Sequence, residues 1–432
     1  MKRLFIIGVL LCLLFPGAAC LRCAGGDDHP NDDDNEASDN PSPTPWPTDD
    51  DDTNDDDTHD DDSWFDDDTY SHPTWIYPVG ETSIGSLPGT LAIAFPLKSD
   101  GNYVDTAEMA IYYLTAEGQW QDSLWGHAGL SGYFNDLIGF DELSFVLVFD
   151  GDSESGVAVG KDTQWTDRPS IEGVSGPVAI ARDGAGAIHV ARIRLPDDLA
   201  AAGYEQAEYS VQTATGWDTT ELIPVASQYP NTPGDDGVSL AIDHADCSHL
   251  VLWSGYNLFY FRRESGVWSD PEIVTFEALP RAFSVGVNSL DVPYLVYCTL
   301  GKKVAIVFRE AEEWNEQTLP GNCTGARNDL VIDENDVLHL AYRDYGWNVT
   351  YATMSLDDFS TWQSEFVEAG SRFNRKGEPF SGENVSLALD ENGFVHLTYR
   401  DYIMIRYATN QTGSFSAETV YYGDQPDDDA AE

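Results

Sequence analysis

Basic residues are scarce in this 432-residue chain. It has 22 Lys and Arg against 75 Asp and Glu, which gives a formal net charge of −53 at pH 7. Proteins that bind nucleic acid need a basic footprint on which the phosphates can lie. We therefore expect no nucleic-acid partner. An acidic surface favours solubility but carries no information about the fold.

Cysteine is also sparse. Beyond the first 23 residues the chain contains three cysteines, at Cys247, Cys298 and Cys323. Their spacing does not match that of a zinc site, in which ligands come in closely spaced pairs. The sequence therefore predicts neither a bound metal nor any other cofactor.

Long amphipathic helical segments are few. Short apolar and alternating runs are instead punctuated by 37 Gly and 22 Pro, and aromatic residues make up 12% of the chain. Short strands bounded by turn-forming residues produce this pattern. The composition predicts an all-β protein.

The amino terminus is patterned as an export signal. A basic start is followed by an apolar stretch from Leu4 to Phe15, which is too short to span a bilayer comfortably. The small residues Gly17 to Ala19 precede Cys20 and resemble a bacterial lipobox. We predict a signal peptide over residues 1–19 and lipidation of Cys20. The alternative is ordinary cleavage near Ala19 without lipidation.

Residues 20–74 form a second compositional region. Between Asp27 and Asp68 there are nineteen Asp and one Glu, and no Lys or Arg occurs between Arg22 and Lys98. Such a segment cannot bury enough apolar surface to offset its ordering entropy, and its charges repel one another. It is predicted to be a disordered acidic linker. With a lipid on Cys20, it would tether the following domain to the outer membrane or cell surface.

An aromatic residue recurs at near-constant spacing through the rest of the chain. The intervals are 45, 52, 51, 46, 48 and 53 residues, and the residues are Trp120, Trp165, Trp217, Trp268, Trp314, Trp362 and Phe415. Repeats of this length with four short strands each are typical of propeller blades. We predict a seven-bladed β-propeller of four-stranded antiparallel blades over residues 80–423, followed by an acidic tail over 424–432. Periodicity alone also allows six or eight blades, and it leaves the closure of the ring open.

The repeated units also share a strand, a tight turn and a second strand. Residues 386–401 align with residues 329–344, and each unit has an Asp at the turn and a His in the second strand. The repeated histidines are His189, His249, His339 and His396. A metal ring is one reading of them. Their fixed place after the turn instead favours a recurrent packing or hydrogen-bonding role.

The strand order brings two cysteines to one face. Cys298 ends the second strand of unit five, and Cys323 lies in the connection from unit five to unit six. A disulfide between them is geometrically sensible in an oxidising compartment. Cys247 lies in a turn on the opposite face and would stay unpaired. Two isolated thiols at Cys298 and Cys323 are the alternative.

A repeated Tyr-Arg-Asp motif is the main candidate site. It occurs as Tyr342-Arg343-Asp344 and as Tyr399-Arg400-Asp401, each at the end of a second strand. Arginines that converge on a propeller axis can hold a carboxylate through two parallel hydrogen bonds. The same residues could instead pair with neighbouring blades.

An acidic loop is a second candidate. Asp150, Asp152 and Glu154 alternate with small residues, as carboxylates do in calcium-binding loops. The loop lacks the glycine and the downstream bidentate acid of such a site. We therefore expect a solvated turn.

The turn of unit six resembles the Asp-box of sialidase-like propellers. It runs from Ser355 to Trp362, with Phe359 where that box usually has glycine. Asp-boxes lie on the outer turn, so the resemblance supports the fold without implying hydrolysis. Sialidases use a Tyr nucleophile with a Glu, an Asp acid and three arginines. The resemblance implies that Arg343 and Arg400 hold the carboxylate of the sugar, as arginines do in that family. The third arginine and the Tyr and Glu pair have no counterpart assigned in this chain.

Three functions follow from these features. The leading prediction is an exported, lipid-anchored propeller that binds a glycan or a protein on its axial face without catalysis. A sialidase-type exo-glycosidase using the axial arginines is the first alternative. A structural envelope lipoprotein is the second.

Overall fold

The computed structural model describes residues 75–78, 80–100, 107–115, 117–130, 134–139, 144–150, 154–161, 164–172, 175–194, 206–213, 216–218, 221–224, 237–310, 313–369 and 381–423. These residues form a seven-bladed β-propeller and contain no helix. The predicted signal peptide, Cys20, the predicted disordered linker and the acidic tail lie outside the described residues.

The first four blades are as follows. Blade 1 contains β1 Trp75–Pro78, β2 Ser83–Leu87, β3 Thr90–Asp100, β4 Ala107–Leu114 and β5 Trp120–Leu130. Blade 2 contains β6 Asn135–Gly139, β7 Phe145–Phe149, β8 Glu154–Lys161 and β9 Gln164–Glu172. Blade 3 contains β10 Ser175–Arg182, β11 Ile188–Arg194, β12 Gln206–Thr213, β13 Gly216–Trp217 and β14 Glu221–Pro224. Blade 4 contains β15 Gly237–Ile242, β16 Ser248–Ser254, β17 Asn257–Glu264, β18 Val267–Trp268 and β19 Glu272–Thr275.

The other three blades have four strands each. Blade 5 contains β20 Ala278–Val287, β21 Pro293–Thr299, β22 Lys303–Glu310 and β23 Glu313–Asn322. Blade 6 contains β24 Asp329–Ile332, β25 Val337–Arg343, β26 Val349–Ser355 and β27 Asp358–Glu368. Blade 7 contains β28 Ser381–Leu389, β29 Val395–Asp401, β30 Met404–Thr409 and β31 Ser416–Tyr422.

Every blade is four strand positions wide and antiparallel. Where five strands occur, two short ones share a position: β1 and β2 both pair with β3, β13 and β14 with β12, and β18 and β19 with β17. The first strands surround the axis. We call the face with the second-to-third-strand turns and the blade-to-blade connections the connection face, and the opposite one the turn face. The prediction of seven four-stranded blades is confirmed.

In four blades the repeated aromatic residue connects the blade to the one before it. It lies at or near the start of the fourth strand and packs edge-on against a tyrosine of the preceding third strand. The pairs and ring-centroid distances are Tyr209 with Trp268 (4.9 Å), Tyr260 with Trp314 (4.9 Å), Tyr351 with Phe415 (5.2 Å) and Tyr407 with Trp120 (4.9 Å). The last pair joins blade 7 to blade 1, so the same contact closes the ring.

Each of these tyrosines is also bonded to a repeated histidine. The Nδ1 atom lies 2.7 Å from Tyr260 Oη in His249, 2.6 Å from Tyr351 Oη in His339 and 2.7 Å from Tyr407 Oη in His396, and His189 pairs with Tyr209 in the same way. The Nε2 atom faces the turn aspartate, at 3.1 Å from Asp243 in blade 4 and 3.6 Å from Asp390 in blade 7. The predicted hydrogen-bonding role of the histidines is confirmed.

A ring of polar side chains ties the first strands together around the axis. Backbone amides of one blade donate to a side chain four residues before the turn of the preceding blade. The bonds are Ile180 N to Asp136 Oδ2 (3.0 Å), Val285 N to Ser239 Oγ (3.0 Å), Leu387 N to Asp329 Oδ2 (2.7 Å) and Ile84 N to Ser386 Oγ (3.3 Å). The last bond again crosses from blade 7 to blade 1. Because buried backbone amides need hydrogen-bond acceptors, these bonds fix the position of each first strand relative to the first strand of the neighbouring blade.

A disulfide fastens one connection on the connection face. Cys298 and Cys323 are bonded, with 5.9 Å between their Cα atoms. The bond closes a loop of 25 residues, for which the chain-entropy account gives a stabilisation of about 3 kcal/mol. Cys247 is a buried free thiol in the first-to-second-strand turn of blade 4.

Candidate functional site

The first strands are irregular where they approach the connection face. Register shifts occur between Ser175 and Val178, between Ala278 and Phe283, and between Ser381 and Val385. A bulge turns side chains away from the regular alternation of a strand. These bulges form the mouth of an axial channel of about 310 Å³.

Two arginines lie at this axial mouth. Arg281 sits in the bulge of β20 with φ of 58°, and its guanidinium carbon lies 5.1 Å from the ring centroid of Phe134 in blade 2. Its Nε atom is buried and has no hydrogen-bond partner among the described residues. Arg327 of blade 6 forms an ion pair with Glu81 of blade 1. The two adjacent blades 5 and 6 therefore supply both cationic groups of the mouth, and these groups contact residues of blades 2 and 1.

Two carboxyl groups lie deeper in the channel. Burial raises the pKa of Asp136 to about 6, although Arg327 and the amides that donate to the carboxyl oppose this effect. Burial likewise raises the pKa of Asp329, against the same arginine. The channel therefore combines Arg327 with two acids that hold their protons more tightly than usual.

The residues of the Tyr-Arg-Asp motif are mostly buried. Tyr342, Arg343, Tyr399, Arg400 and Asp401 are all buried at the ends of β25 and β29. Asp344 caps its own turn, since its Oδ1 accepts hydrogen bonds from Gly346 N (2.8 Å) and Asn348 N (3.0 Å). Ligand binding by this motif stays a prediction, and in this conformation Arg343 offers no guanidinium edge to solvent.

Tyr399 pairs with a glutamate of the neighbouring blade. Its hydroxyl donates to Glu368, which also accepts a hydrogen bond from Arg406 Nε at 3.1 Å. Burial and the Glu368 carboxylate both raise the pKa of Tyr399. A catalytic tyrosine nucleophile needs the opposite shift, so this pair acts as a link between blades 6 and 7.

The turns on the connection face display aromatic side chains. Tyr256, Phe276, Tyr345 and Trp347 are exposed there. Tyr256 and Trp347 have φ of 68° and 67°, which is a left-handed conformation that residues with a side chain adopt at a cost of roughly 1–3 kcal/mol. In the two-residue turn between Ser254 and Asn257, glycine is the usual residue at the position of Tyr256. Strained aromatic residues held outward suggest contact with a ligand.

Cationic side chains and a backbone hydrogen bond support these aromatic residues. The guanidinium carbon of Arg343 lies 4.8 Å from the ring centroid of Trp347, and Lys302 Nζ lies 4.9 Å from that of Tyr345. The backbone oxygen of Tyr256 accepts a hydrogen bond from Ala278 N at 3.1 Å. Arg343 thus positions an exposed aromatic residue, a role that the sequence motif did not reveal.

The two other sequence candidates have structural contacts. Asp150 is buried, and its Oδ1 accepts a hydrogen bond from Phe134 N at 2.9 Å, so this carboxylate is not solvated as expected. Residues 151–153 lie outside the described residues. The turn of unit six joins β26 to β27, and Thr361 Oγ1 closes it by accepting from Ser355 N at 2.9 Å.

The sequence analysis missed Arg281 and Arg327. Each arginine lies two or three residues before the position that lines the axis in its unit, so extending the unit alignment toward the amino terminus would have found both. Among the residues described here, no three metal-ligating side chains converge. The described part of the chain also offers no apolar helix of membrane-spanning length.

No protein-family model matches the sequence, and no curated protein does. Solved structures with a similar fold include a protein from Lactobacillus plantarum, at 13% identity and a TM-score of 0.50 over 81% of this chain and 97% of that one. A lectin from Aleuria aurantia in complex with Fucalpha1-6GlcNAc has 11% identity and a TM-score of 0.49 over 68% and 97%. The NanB sialidase from Streptococcus pneumoniae has 8% identity and a TM-score of 0.45 over 76% and 92%. At these identities the similarity shows the fold alone.

Proposed function

We propose that this protein is a non-catalytic binding propeller that holds a glycan or a protein on its connection face. The observation that carries the proposal is the set of exposed aromatic residues Tyr256, Tyr345 and Trp347, two of them in strained turns. Aromatic faces stack on the apolar faces of sugars and form the anchors of protein interfaces. The arginines of the axial mouth would add polar contacts beside them.

A sialidase-type glycosidase is the second candidate. Arg281 and Arg327 at the axial mouth favour it, since a sugar carboxylate is held by arginines. The buried Tyr399 argues against a glycosidase, because the pKa of Tyr399 is raised and its hydroxyl already donates a hydrogen bond to Glu368. Release of the fluorophore from a fluorogenic sialoside, at a rate that Arg281→Ala abolishes, would establish the hydrolase instead.

Replacing the strained aromatic residues should separate binding from stability. We expect Tyr256→Gly and Trp347→Gly to lower ligand affinity about tenfold or more each, since an interface anchor contributes about 2 kcal/mol. The melting temperature should stay the same or rise, because glycine relieves the left-handed backbone. The ligand would first be found with a glycan array and by capture from cell-surface extracts, and affinity would then be measured by calorimetry.

A matched control comes from the turn face of blade 7. Phe394 is an exposed aromatic residue like Tyr345, but it lies between β28 and β29, on the face opposite the connection face. Phe394→Ala should leave affinity unchanged, whereas Tyr345→Ala should lower it. Equal losses in both variants would contradict a site on the connection face. Recovery of one stoichiometric envelope partner without glycan binding would favour the structural lipoprotein.

We further propose that the chain is exported and anchored to the outer membrane or cell surface through a lipid on Cys20. The support is the sequence pattern of residues 1–20. Cys20→Ala should abolish incorporation of a radioactive fatty acid and move the protein from the membrane fraction to the soluble fraction. Undiminished labelling of the variant would refute the anchor.

A further inference from the structure

A large groove opens between blades 4 and 5, away from the connection face. Its volume is about 860 Å³. One wall is the third strand and the third-to-fourth-strand turn of blade 4, with Arg262 and Val267. The other is the first-to-second-strand turn of blade 5, with Leu290, and Arg309 also lines the groove. None of the residues predicted from the sequence as a site lies in it.

Arg262 departs from the repeat at this groove. It pairs across the sheet with His249, on the third strand. The residues that hold the same place opposite the equivalent second-strand residue in blades 3, 5, 6 and 7 are Val211, Phe308, Thr353 and Thr409. The fold therefore requires no charge there. The Nε atom of Arg262 is buried and has no hydrogen-bond partner among the described residues.

Two exposed apolar residues depart from the repeat on the groove walls. Val267 is 69% exposed and Leu290 is 77% exposed. The residue before the repeated aromatic is polar or glycine in the other six units, namely Gln119, Gln164, Gly216, Glu313, Thr361 and Ser414. The turn position of Leu290 is held elsewhere by Ala185, Ala245, Asn335 and Asn392. Departures from a repeat without a local structural gain are expected at functional sites, and here three of them share one groove.

The polar lining mixes donors with acceptors. Arg262 Nη1 lies 3.5 Å from Glu264 Oε2, and Arg309 Nη1 lies 3.0 Å from Glu272 Oε1. Asp291 adds a third carboxylate to the lining. Acids thus outnumber arginines in the groove of a chain that is already strongly acidic, which disfavours an anionic ligand. Hydroxyl groups suit such a lining, because each can donate to a carboxylate and accept from a guanidinium.

We infer that this groove is a second binding site, which takes a neutral saccharide. The hydroxyls of the saccharide would form hydrogen bonds with the Arg262 and Arg309 ion pairs, and the apolar face of the sugar ring would lie between Val267 and Leu290. The inference rests on the proposed function in assuming a glycan ligand, but it assigns that ligand to the turn face instead of the connection face.

The test uses the full chain and residues borrowed from other blades. Arg262→Thr, Val267→Ser and Leu290→Asn each install a residue that another blade has at the same position, so folding should be preserved. Binding would be measured by saturation-transfer NMR and calorimetry with methyl glycosides of neutral hexoses, 6-deoxyhexoses and N-acetylhexosamines, and with sialic acid for comparison. We expect the wild type to bind a neutral glycoside, and the triple variant to bind it at least tenfold more weakly.

The outcomes separate this inference from the proposed function. Loss of binding in the groove variants, with binding retained in Tyr345→Ala, supports the groove. Loss in Tyr345→Ala alone overturns the groove and leaves the connection face as the glycan site. Binding of sialic acid but no neutral glycoside overturns the inference as well. Failure to bind any glycan also overturns it, and leaves a protein as the ligand of the connection face. If the triple variant unfolds, Leu290→Asn decides, since that exposed side chain can be changed without disturbing the core.

Discussion

Replacing Arg192 with alanine should lower the free energy of unfolding by about 3–5 kcal/mol. The side chain is buried between blades 2 and 3, and its Nε donates to Glu208 Oε2 at 2.7 Å. Its Nη1 donates to Ser155 Oγ at 2.7 Å and to the backbone oxygen of Ile171 at 2.9 Å. Alanine would leave the buried Glu208 carboxylate without its counter-ion. Urea unfolding at pH 7.5 measures the loss.

A double variant tests the cause. Arg192→Met combined with Glu208→Leu removes both charges and keeps the volume, so it should recover at least half of the loss, because a buried ion pair can be replaced by apolar residues of similar size. If the double variant is no more stable than Arg192→Ala, the loss comes from packing and not from the unpaired carboxylate. A stability equal to the wild type in Arg192→Ala would contradict the role of the arginine altogether.

Acid should destabilise the propeller through its four buried histidines, although the Asp136 carboxyl, whose pKa is raised to about 6, contributes in the opposite direction. Burial lowers the pKa of His189, His249, His339 and His396. A group whose pKa is lower in the folded state contributes stability that is full above its unfolded pKa of about 6.5, and that contribution is lost as the pH falls. Each histidine that takes up a proton only on unfolding changes the free energy of unfolding by up to about 1.4 kcal/mol per pH unit. Four such histidines give a slope of up to about 5 kcal/mol per pH unit.

The partners of the histidines extend the effect at both ends of the pH scale. Desolvation on burial acts to raise the pKa of Asp183 and Asp243, but hydrogen bonds from the backbone and the histidines lower it overall. The stability that these two carboxylates contribute is therefore lost as the pH falls below about 4. Burial raises the pKa of Tyr209 and Tyr407 to about 12, so their contribution is full below pH 10 and is lost above it. Stability should therefore be greatest between about pH 7 and pH 10.

The measurement is urea unfolding between pH 7.5 and pH 4.5 on the wild type and one variant. His396→Gln should reduce the slope of the free energy of unfolding against pH by the contribution of one histidine. Protonation of surface acids relieves charge repulsion in both proteins alike, so the difference between them carries the result. Equal slopes in His396→Gln and the wild type would exclude the buried histidines as the acid-sensitive groups.

The blade count could be predicted from the sequence because its signal repeats. In four blades the aromatic residue of the fourth strand makes the same contact with a tyrosine of the preceding blade, as between Trp314 and Tyr260. The same holds for His249 and His396, whose hydrogen-bonding role followed from their fixed place in the unit. A contact that recurs around a ring leaves the same residue in every unit, and alignment of the units reveals it.

Contacts made once left no such trace. Arg192 fills in blade 3 the place that Tyr399 fills in blade 7, and both reach across to the blade before. The bulge that lifts Arg281 to the axis follows from strand pairing, which a single sequence does not display. The Tyr-Arg-Asp motif was predicted as a site because it recurs, yet Arg343 lies against Trp347, a residue that only blade 6 has at that turn.

Among the strands that the structure describes, no blade contains one from the far end of the chain. The described strands of each blade are consecutive, and blade 7 meets blade 1 through the same side-chain contacts as internal neighbours, including Ser386 with Ile84 and Trp120 with Tyr407. A duplication or deletion of one stretch of about 50 residues would thus add or remove a whole blade without splitting a sheet. A single recombination event of this kind would give a ring with one more or one fewer blade. A groove between two retained neighbours, such as that between blades 4 and 5, would keep all of its residues.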